Sequence, residues 1–215
     1  MFKKKPFLII FEGVEGSGKS YQSKKLVNSL RKKKLSVVLT REPGGTKGAE
    51  RIRKLILQDY FHKNTKDQFD KYTDTLLYLA ARNEHVLKKI KPAMLQKKII
   101  VCDRFIDSTF AYQTGGKGVE KVFIQNIHKK ILYKIKPNLT FVLKVSSKKS
   151  QKRLNKRKNK NRYDKFSKSF YSNAQNYFIK IANKNTKTHY VFDNSDENNQ
   201  VQKQILKIVL KKINF

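Results

Sequence analysis

One cysteine, Cys102, is all that the 215 residues contain. That excludes an internal disulfide and a Cys-rich metal site. The four histidines, at 62, 85, 128 and 189, lie too far apart for metal-ligand spacing. No apolar run reaches about 18 residues, so no membrane-spanning helix is expected. The stretch from Phe7 to Phe11 follows lysines, as the core of a secretion signal would. It stops at Glu12, with no small-residue cleavage site after it. A soluble, cytoplasmic protein is therefore expected. Acidic residues are also scarce, 16 against 50 basic ones, for a net charge of +34.

Such a charge suggests a nucleic-acid partner. Its distribution argues against one. Lysine supplies 41 of the basic residues and arginine only 9, and they run along the whole chain instead of forming a stripe or tail. Asparagine, isoleucine, phenylalanine and tyrosine are frequent, as compositional bias from an A+T-rich genome would make them. No zinc-finger spacing, basic zipper or aromatic RNA-binding signature is present. The surviving arginines carry more information than the lysines, because a planar bidentate fork is what lysine cannot replace.

Hydrophobic periodicity predicts strands over 7–11, 35–40, 98–102, 139–145 and 190–192. Helices are expected over 19–33, 49–57, 70–90, 105–113, 119–134, 166–183 and 197–213. In the 70–90 helix, Leu76, Leu77, Leu79, Ala80, Val86 and Leu87 are available to a core, and Pro92 interrupts the pattern. The alternation predicts an α/β fold, a five-stranded parallel sheet with helices on both faces. One domain over 1–215 is expected, with a mobile, highly basic lid at about 148–165.

Gly13-Val14-Glu15-Gly16-Ser17-Gly18-Lys19-Ser20 matches G-x-x-x-x-G-K-[ST] in full, between an apolar strand and a helical pattern. The glycines let successive N–H groups turn toward phosphate oxygens, and the following helix adds its positive end. Lys19 suits the β- and γ-phosphates, and the Ser20 hydroxyl suits Mg²⁺. The motif predicts ATP-type binding but not the acceptor. A guanine-reading Asn-Lys-x-Asp is missing, since Asn183-Lys184-Asn185-Thr186 lacks the aspartate. Gly115-Gly116-Lys117-Gly118 has no strand before it and is not a second phosphate loop.

Four segments carry a resemblance: Phe11-Glu-Gly-Val-Glu-Gly-Ser-Gly-Lys-Ser20, Thr40-Arg-Glu-Pro-Gly-Gly-Thr46, Leu76-Leu-Tyr-Leu-Ala-Ala-Arg82 and Asp103-Arg-Phe-Ile-Asp-Ser-Thr-Phe-Ala-Tyr-Gln113. In order and spacing they resemble the thymidylate kinase family over essentially the whole chain. The resemblance implies transfer of the γ-phosphoryl of Mg-ATP to dTMP by a homodimer. Arg104 is then implied to hold the acceptor phosphate, and Asp103 to orient Mg²⁺ or Arg104. By the same resemblance Tyr78 is implied to stack on the thymine and Arg82 to bond its carbonyl edge. Thr109 is implied to read the base, with Gln113 on the same face, and Tyr112 to pack under the deoxyribose. Glu42 and Pro43 are expected to line the acceptor pocket, beside Arg41, and Glu15 to lie near the sugar and metal. A lid arginine, Arg157 or Arg153, is implied to reach the transferred phosphoryl group. Arg162-Tyr163-Asp164 resembles the lid's end, although Lys165 stands where the family usually has arginine. Ile127, Ile131 and the face of the 70–90 helix are candidates for a dimer contact.

Overall fold

The computed structural model describes residues 5–57, 68–156, 162–196 and 199–215. Its five strands are β1 (Phe7–Glu12), β2 (Val37–Arg41), β3 (Ile99–Asp103), β4 (Leu139–Lys144) and β5 (His189–Asp193). They form one sheet in the order β2-β3-β1-β4-β5, and every pairing is parallel. The continuous apolar strands follow from this architecture, because a central parallel strand is covered on both faces. Ile9 and Phe11 face one core with Leu26, Val27 and Leu30 of α1 (Lys19–Lys32) and Val201, Ile205 and Val209 of α9 (Gln200–Lys212). Leu8 and Ile10 face the other way, toward Val86, Ile90, Ala93 and Phe105. The two-residue side-chain period of a strand thus divides β1 between the two layers.

Between the strands lie α2 (Lys47–Leu57), α3 (Lys71–His85), α4 (Lys91–Leu95), α5 (Ile106–Thr109), α6 (Lys121–Ile131), α7 (Ser147–Asn155) and α8 (Lys168–Lys184). Pro92 does not end the 70–90 helix as expected. A wider turn over Val86–Ile90 precedes it, with the Lys91 N–H reaching the Val86 carbonyl, and the chain continues as α4. Loosening the turn gives room where a proline ring otherwise meets the carbonyl four residues back. A second wide turn, Phe110–Thr114, extends α5.

The apolar stripe expected on the 70–90 helix is also revised. Leu79 and Val86 are buried, but Leu76 is 47% exposed. Ala80 is exposed as well, and Leu77 and Leu87 are only half-buried. The buried residues of α3 are Asp74, Thr75, Leu79, Ala81, Arg82 and His85, so most of its inner stripe is polar. They recur at helical spacing, but a hydrophobic pattern does not report them. Within the basic 148–165 stretch, α7 begins at a Ser146 cap and buries Leu154. Residues 162–165 form one tight helical turn.

Candidate active site

The carboxyl ends of β1, β2 and β3 open on a cavity of about 360 Å³, the expected place for a ligand in an open parallel sheet. The loop after β1 forms its floor. Gly13 has φ +136°, and a Cβ there would stand 2.3 Å from the Leu143 carbonyl oxygen. Gly18 has φ +89°, and its missing Cβ leaves room for the Asn194 amide, which donates to Ser17 O at 2.7 Å. Only glycine meets both demands. Lys19 opens α1 and folds back to donate to Val14 O at 2.7 Å. Burial, with Arg104 close by, lowers its pKa to about 8.

Asp103 ends β3 in register with Phe11 and Arg41. The Ser20 hydroxyl donates to its Oδ2. Its Oδ1 is buried and has no hydrogen-bond partner among the described residues. The next residue, Arg104, takes φ +71° and turns its guanidinium under the phosphate loop. Nη1 donates to Gly13 O at 2.9 Å and Ser108 Oγ at 3.1 Å, and Nη2 to Glu15 Oε1 at 2.8 Å. The Tyr112 hydroxyl donates to the other Glu15 oxygen. Burial opposes the Glu15 charge, but Arg104 and Lys19 outweigh it and hold the carboxyl below its usual range.

Arg82 is 3% exposed and nearly saturated. Nε donates to Glu42 Oε2, Nη1 to Thr109 Oγ1 and His128 Nε2, and Nη2 to Phe105 O, each at 2.7 Å. Glu42 accepts also from His85 Nδ1 at 2.8 Å, and His85 Nε2 meets Thr40 Oγ1 at 2.7 Å. Burial disfavours the Glu42 carboxylate, yet Arg82 and His85 together keep its pKa low. Both histidines were read from the sequence only as unsuited to metal binding.

Tyr78, four residues before Arg82, meets the Tyr163 hydroxyl with its own. Arg162 pairs with the buried Asp74, which Lys117 also reaches at 2.8 Å. Gln113 Nε2 lies 3.5 Å from that carboxylate. The turn at 162–165 is thereby fastened to α3 beside the cavity. On the other side, Ser150 Oγ donates to Glu15 O at 2.8 Å, and Arg153 Nη1 to Gly16 O at 3.0 Å. Arg153 therefore lies over the phosphate loop. Arg157 lies outside the described residues.

Of the residues singled out from the sequence, Glu15, Gly16, Gly18, Lys19, Ser20, Glu42, Pro43, Tyr78, Arg82, Asp103, Arg104, Thr109, Tyr112, Gln113 and Arg153 all line this one cavity. Arg41 lines it too, but its guanidinium is committed to Glu50 at 3.0 Å. Besides the two histidines and Ser108, further participants were missed. Arg53 lines the cavity and donates to Pro43 O at 2.7 Å. Tyr163 closes over Tyr78. Asp74 ties the 162–165 turn to α3. Glu12, fully buried, accepts from Phe105 N at 2.8 Å, Ser108 N at 3.2 Å and Ser108 Oγ at 2.6 Å, which fixes the start of α5 beside Arg104. Burial, helped by Asp107, pushes the Glu12 carboxyl up to about 7. A charged residue closing an apolar strand was the available signal for Glu12. The rarity of arginine was the signal for Arg53.

A phosphate loop and an Asp-Arg pair that open on one cavity walled by tyrosines and arginines define the class of phosphate-loop phosphotransferases. Comparison with known proteins narrows this class. The chain belongs to the thymidylate kinase family, whose profile matches residues 11–205. It is 39% identical over 208 residues to the thymidylate kinase of Wolbachia pipientis subsp. Culex pipiens (strain wPip), covering 95% of this chain and 96% of that one. The thymidylate kinase of Mycoplasma capricolum is 36% identical, with 95% of each chain covered. A crystal structure of thymidylate kinase from Ehrlichia chaffeensis superposes with a TM-score of 0.75 at 33% identity, covering 95% of this chain and 99% of that chain.

Proposed function

We propose that the two halves of the cavity hold ATP and dTMP on either side of Arg104. As a member of the thymidylate kinase family, the chain is an enzyme that transfers the γ-phosphoryl of ATP to dTMP, giving dTDP and ADP on the way to dTTP. The loop Gly13–Ser20 takes the ATP phosphates. Lys19 leaves Val14 O for the β- and γ-oxygens. Arg104, with Arg53 across the cavity, takes the acceptor phosphate, which a guanidinium fork suits. Tyr78 offers its ring to the thymine, and Arg82 has one Nη2 hydrogen left for a carbonyl. Thr109 and Gln113 complete the base side, and Tyr112 the sugar side. A lid arginine, Arg153 on α7 or Arg157, brings positive charge to the transferring group.

Ser20 and Asp103 fit a magnesium ion, since the hydroxyl already turns toward Oδ2 and the buried Oδ1 lacks a partner. When bound, the ion supplies positive charge to the phosphate oxygens. No covalent intermediate is required. Positioning and charge neutralisation carry the chemistry, and the expected lid, of which α7 and the 162–165 turn are described, keeps water from the phosphoryl group. Two copies pair through helix faces, where Leu76 on α3 and Val122 on α6, 47% and 63% exposed, are apolar groups a partner would cover. Ile127 and Ile131 lie half-buried on the same α6. The dispersed lysines fit no nucleic-acid partner. A cytoplasmic setting supplies both nucleotides.

The observation that carries this reading is the meeting of the phosphate loop, Asp103–Arg104 and Tyr78–Arg82 on one cavity. A coupled ADP-release assay tests it with dTMP, dUMP, dCMP, AMP and thymidine as acceptors. Turnover should be strong with dTMP. It should be weaker with dUMP, where one methyl group is worth about 1–3 kcal/mol, and absent with thymidine. Preference for another monophosphate would discard the base assignment.

A further inference from the structure

The Arg82 guanidinium can be audited hydrogen by hydrogen. It carries five N–H groups and no acceptor. Four are spent inside the protein, on Glu42, Thr109, His128 and the Phe105 carbonyl. The fifth, on Nη2, has no partner among the described residues, and Arg82 lines the cavity. Three of the four partners have another part in the site. Glu42 and Thr109 line the cavity themselves, and Phe105 follows Arg104. His128 does not line it. It sits on α6, 5% exposed, with its ring edge-on to Phe110 at 5.6 Å between centroids. Among the described residues its polar contact toward the site is the 2.7 Å bond from Arg82 Nη1 to Nε2.

Arginine cannot accept a hydrogen bond, so His128 Nε2 must present a lone pair. The ring is therefore neutral and carries its proton on Nδ1. Burial and the Arg82 charge act in the same direction, lowering its pKa to about 3. A neutral acceptor at this point satisfies an N–H that would otherwise be buried without a partner, and it does so without adding charge. A carboxylate in its place would compete with Glu42 for the guanidinium. An alkyl group would leave one Nη1 hydrogen unmet. Because Thr109 takes the other Nη1 hydrogen, His128 and Thr109 together fix the rotation of the guanidinium plane, and so the direction of the one free Nη2 hydrogen.

We propose that His128 is a positioning residue for acceptor recognition: from α6, outside the cavity, it orients the Arg82 fork toward the base edge of the acceptor nucleotide. The inference rests on the reading that Arg82 faces the thymine. It requires acceptor affinity, not phosphoryl transfer, to depend on an acceptor atom at the position of Nε2.

The test compares wild type, His128→Leu and His128→Gln in steady-state assays with dTMP and ATP. Glutamine can place Oε1 near the position of Nε2 and accept the same bond, whereas leucine cannot. His128→Leu should raise the dTMP KM about tenfold, the size of one lost hydrogen bond to a charged group, with ATP KM unchanged and kcat within about threefold. His128→Gln should recover most of that loss. A dTMP KM within twofold of wild type in His128→Leu overturns the proposal. So does equal impairment of the two variants, or a matching rise in ATP KM. Should His128→Leu not fold, the nitrogen-15 shifts of the wild-type ring decide the matter. A neutral Nδ1–H ring at neutral pH that responds to dTMP but not to ATP supports the proposal. An Nε2–H ring, or one blind to dTMP, overturns it. Wild-type turnover of dTMP is the control. If the wild type prefers another monophosphate, the base assignment fails, and His128 is then judged on the KM of that acceptor.

Discussion

Arg104 and Glu15 form a 2.8 Å ion pair, 15% and 12% exposed, that bridges the end of β3 and the phosphate loop. Tyr112 holds the same carboxylate by its other oxygen. The arginine assigned to the acceptor phosphate is thus already oriented, by a group that shares its charge with that phosphate. Glu15→Gln loosens Arg104 and also removes a competitor for it. The expected outcome is a fall in kcat of about ten- to a hundred-fold, without a rise in acceptor KM. Initial-rate kinetics over a dTMP series separate the two parameters, and a raised KM at unchanged kcat would reverse the assignment.

Arg153 reaches Gly16 O from α7. On the proposed mechanism it neutralises charge on the transferring group, a task for which an arginine can be worth about a thousand-fold or more. Arg153→Ala should therefore lower kcat by about that order and leave dTMP saturation unchanged. A parallel Arg157→Ala variant shows which arginine dominates. Near-normal turnover in Arg153→Ala beside a large loss in Arg157→Ala would move the role along the lid.

Truncating Arg82 removes four internal hydrogen bonds and leaves Glu42, 5% exposed, with His85 as its remaining partner. Breaking a buried ion pair in this way costs about 3–5 kcal/mol. Arg82→Met should therefore unfold at clearly lower denaturant concentration and fail to saturate with dTMP. Unchanged stability would mean that the Glu42–Arg82–His85 web contributes little to folding.

His128 gives a pH dependence with a definite sign. Its folded-state pKa is lowered to about 3 from an ordinary value of 6.5, by burial first and Arg82 second. Between these values the unfolded chain binds a proton that the folded chain does not. Stability from the neutral ring is therefore complete above pH 6.5 and is lost as pH falls toward 3. The slope approaches about 1.4 kcal/mol per pH unit. Denaturant melts of wild type and His128→Gln should diverge across this window, with the variant losing stability less steeply. Parallel curves would argue against a buried neutral ring.

The divide between what the sequence shows and what it conceals is visible on α3. Tyr78 and Arg82 were recognisable because they belong to a motif with fixed spacing. Asp74 and His85 lie on the same buried stripe, yet no motif or apolar pattern marks them, and Leu76 looked more like core than either. Their burial is stabilised by partners far away in sequence. Asp74 meets Arg162 across 88 positions, and His85 meets Glu42 across 43. A polar residue becomes inner only when its partner arrives, and that pairing has no local signature.

From the sequence alone came the parallel α/β sheet, the phosphate loop and the family, because strand runs, glycine spacing and short motifs are local properties of the chain. Pro92 shows where local reading stops: a wide turn upstream let the helix continue. Tertiary structure alone decided that Arg104 is paired with Glu15, that Arg53 and Tyr163 wall the cavity, and that Arg82 keeps one hydrogen free. Each of these depends on directional bonds between elements distant in sequence, and only the closed fold brings donor and acceptor within reach.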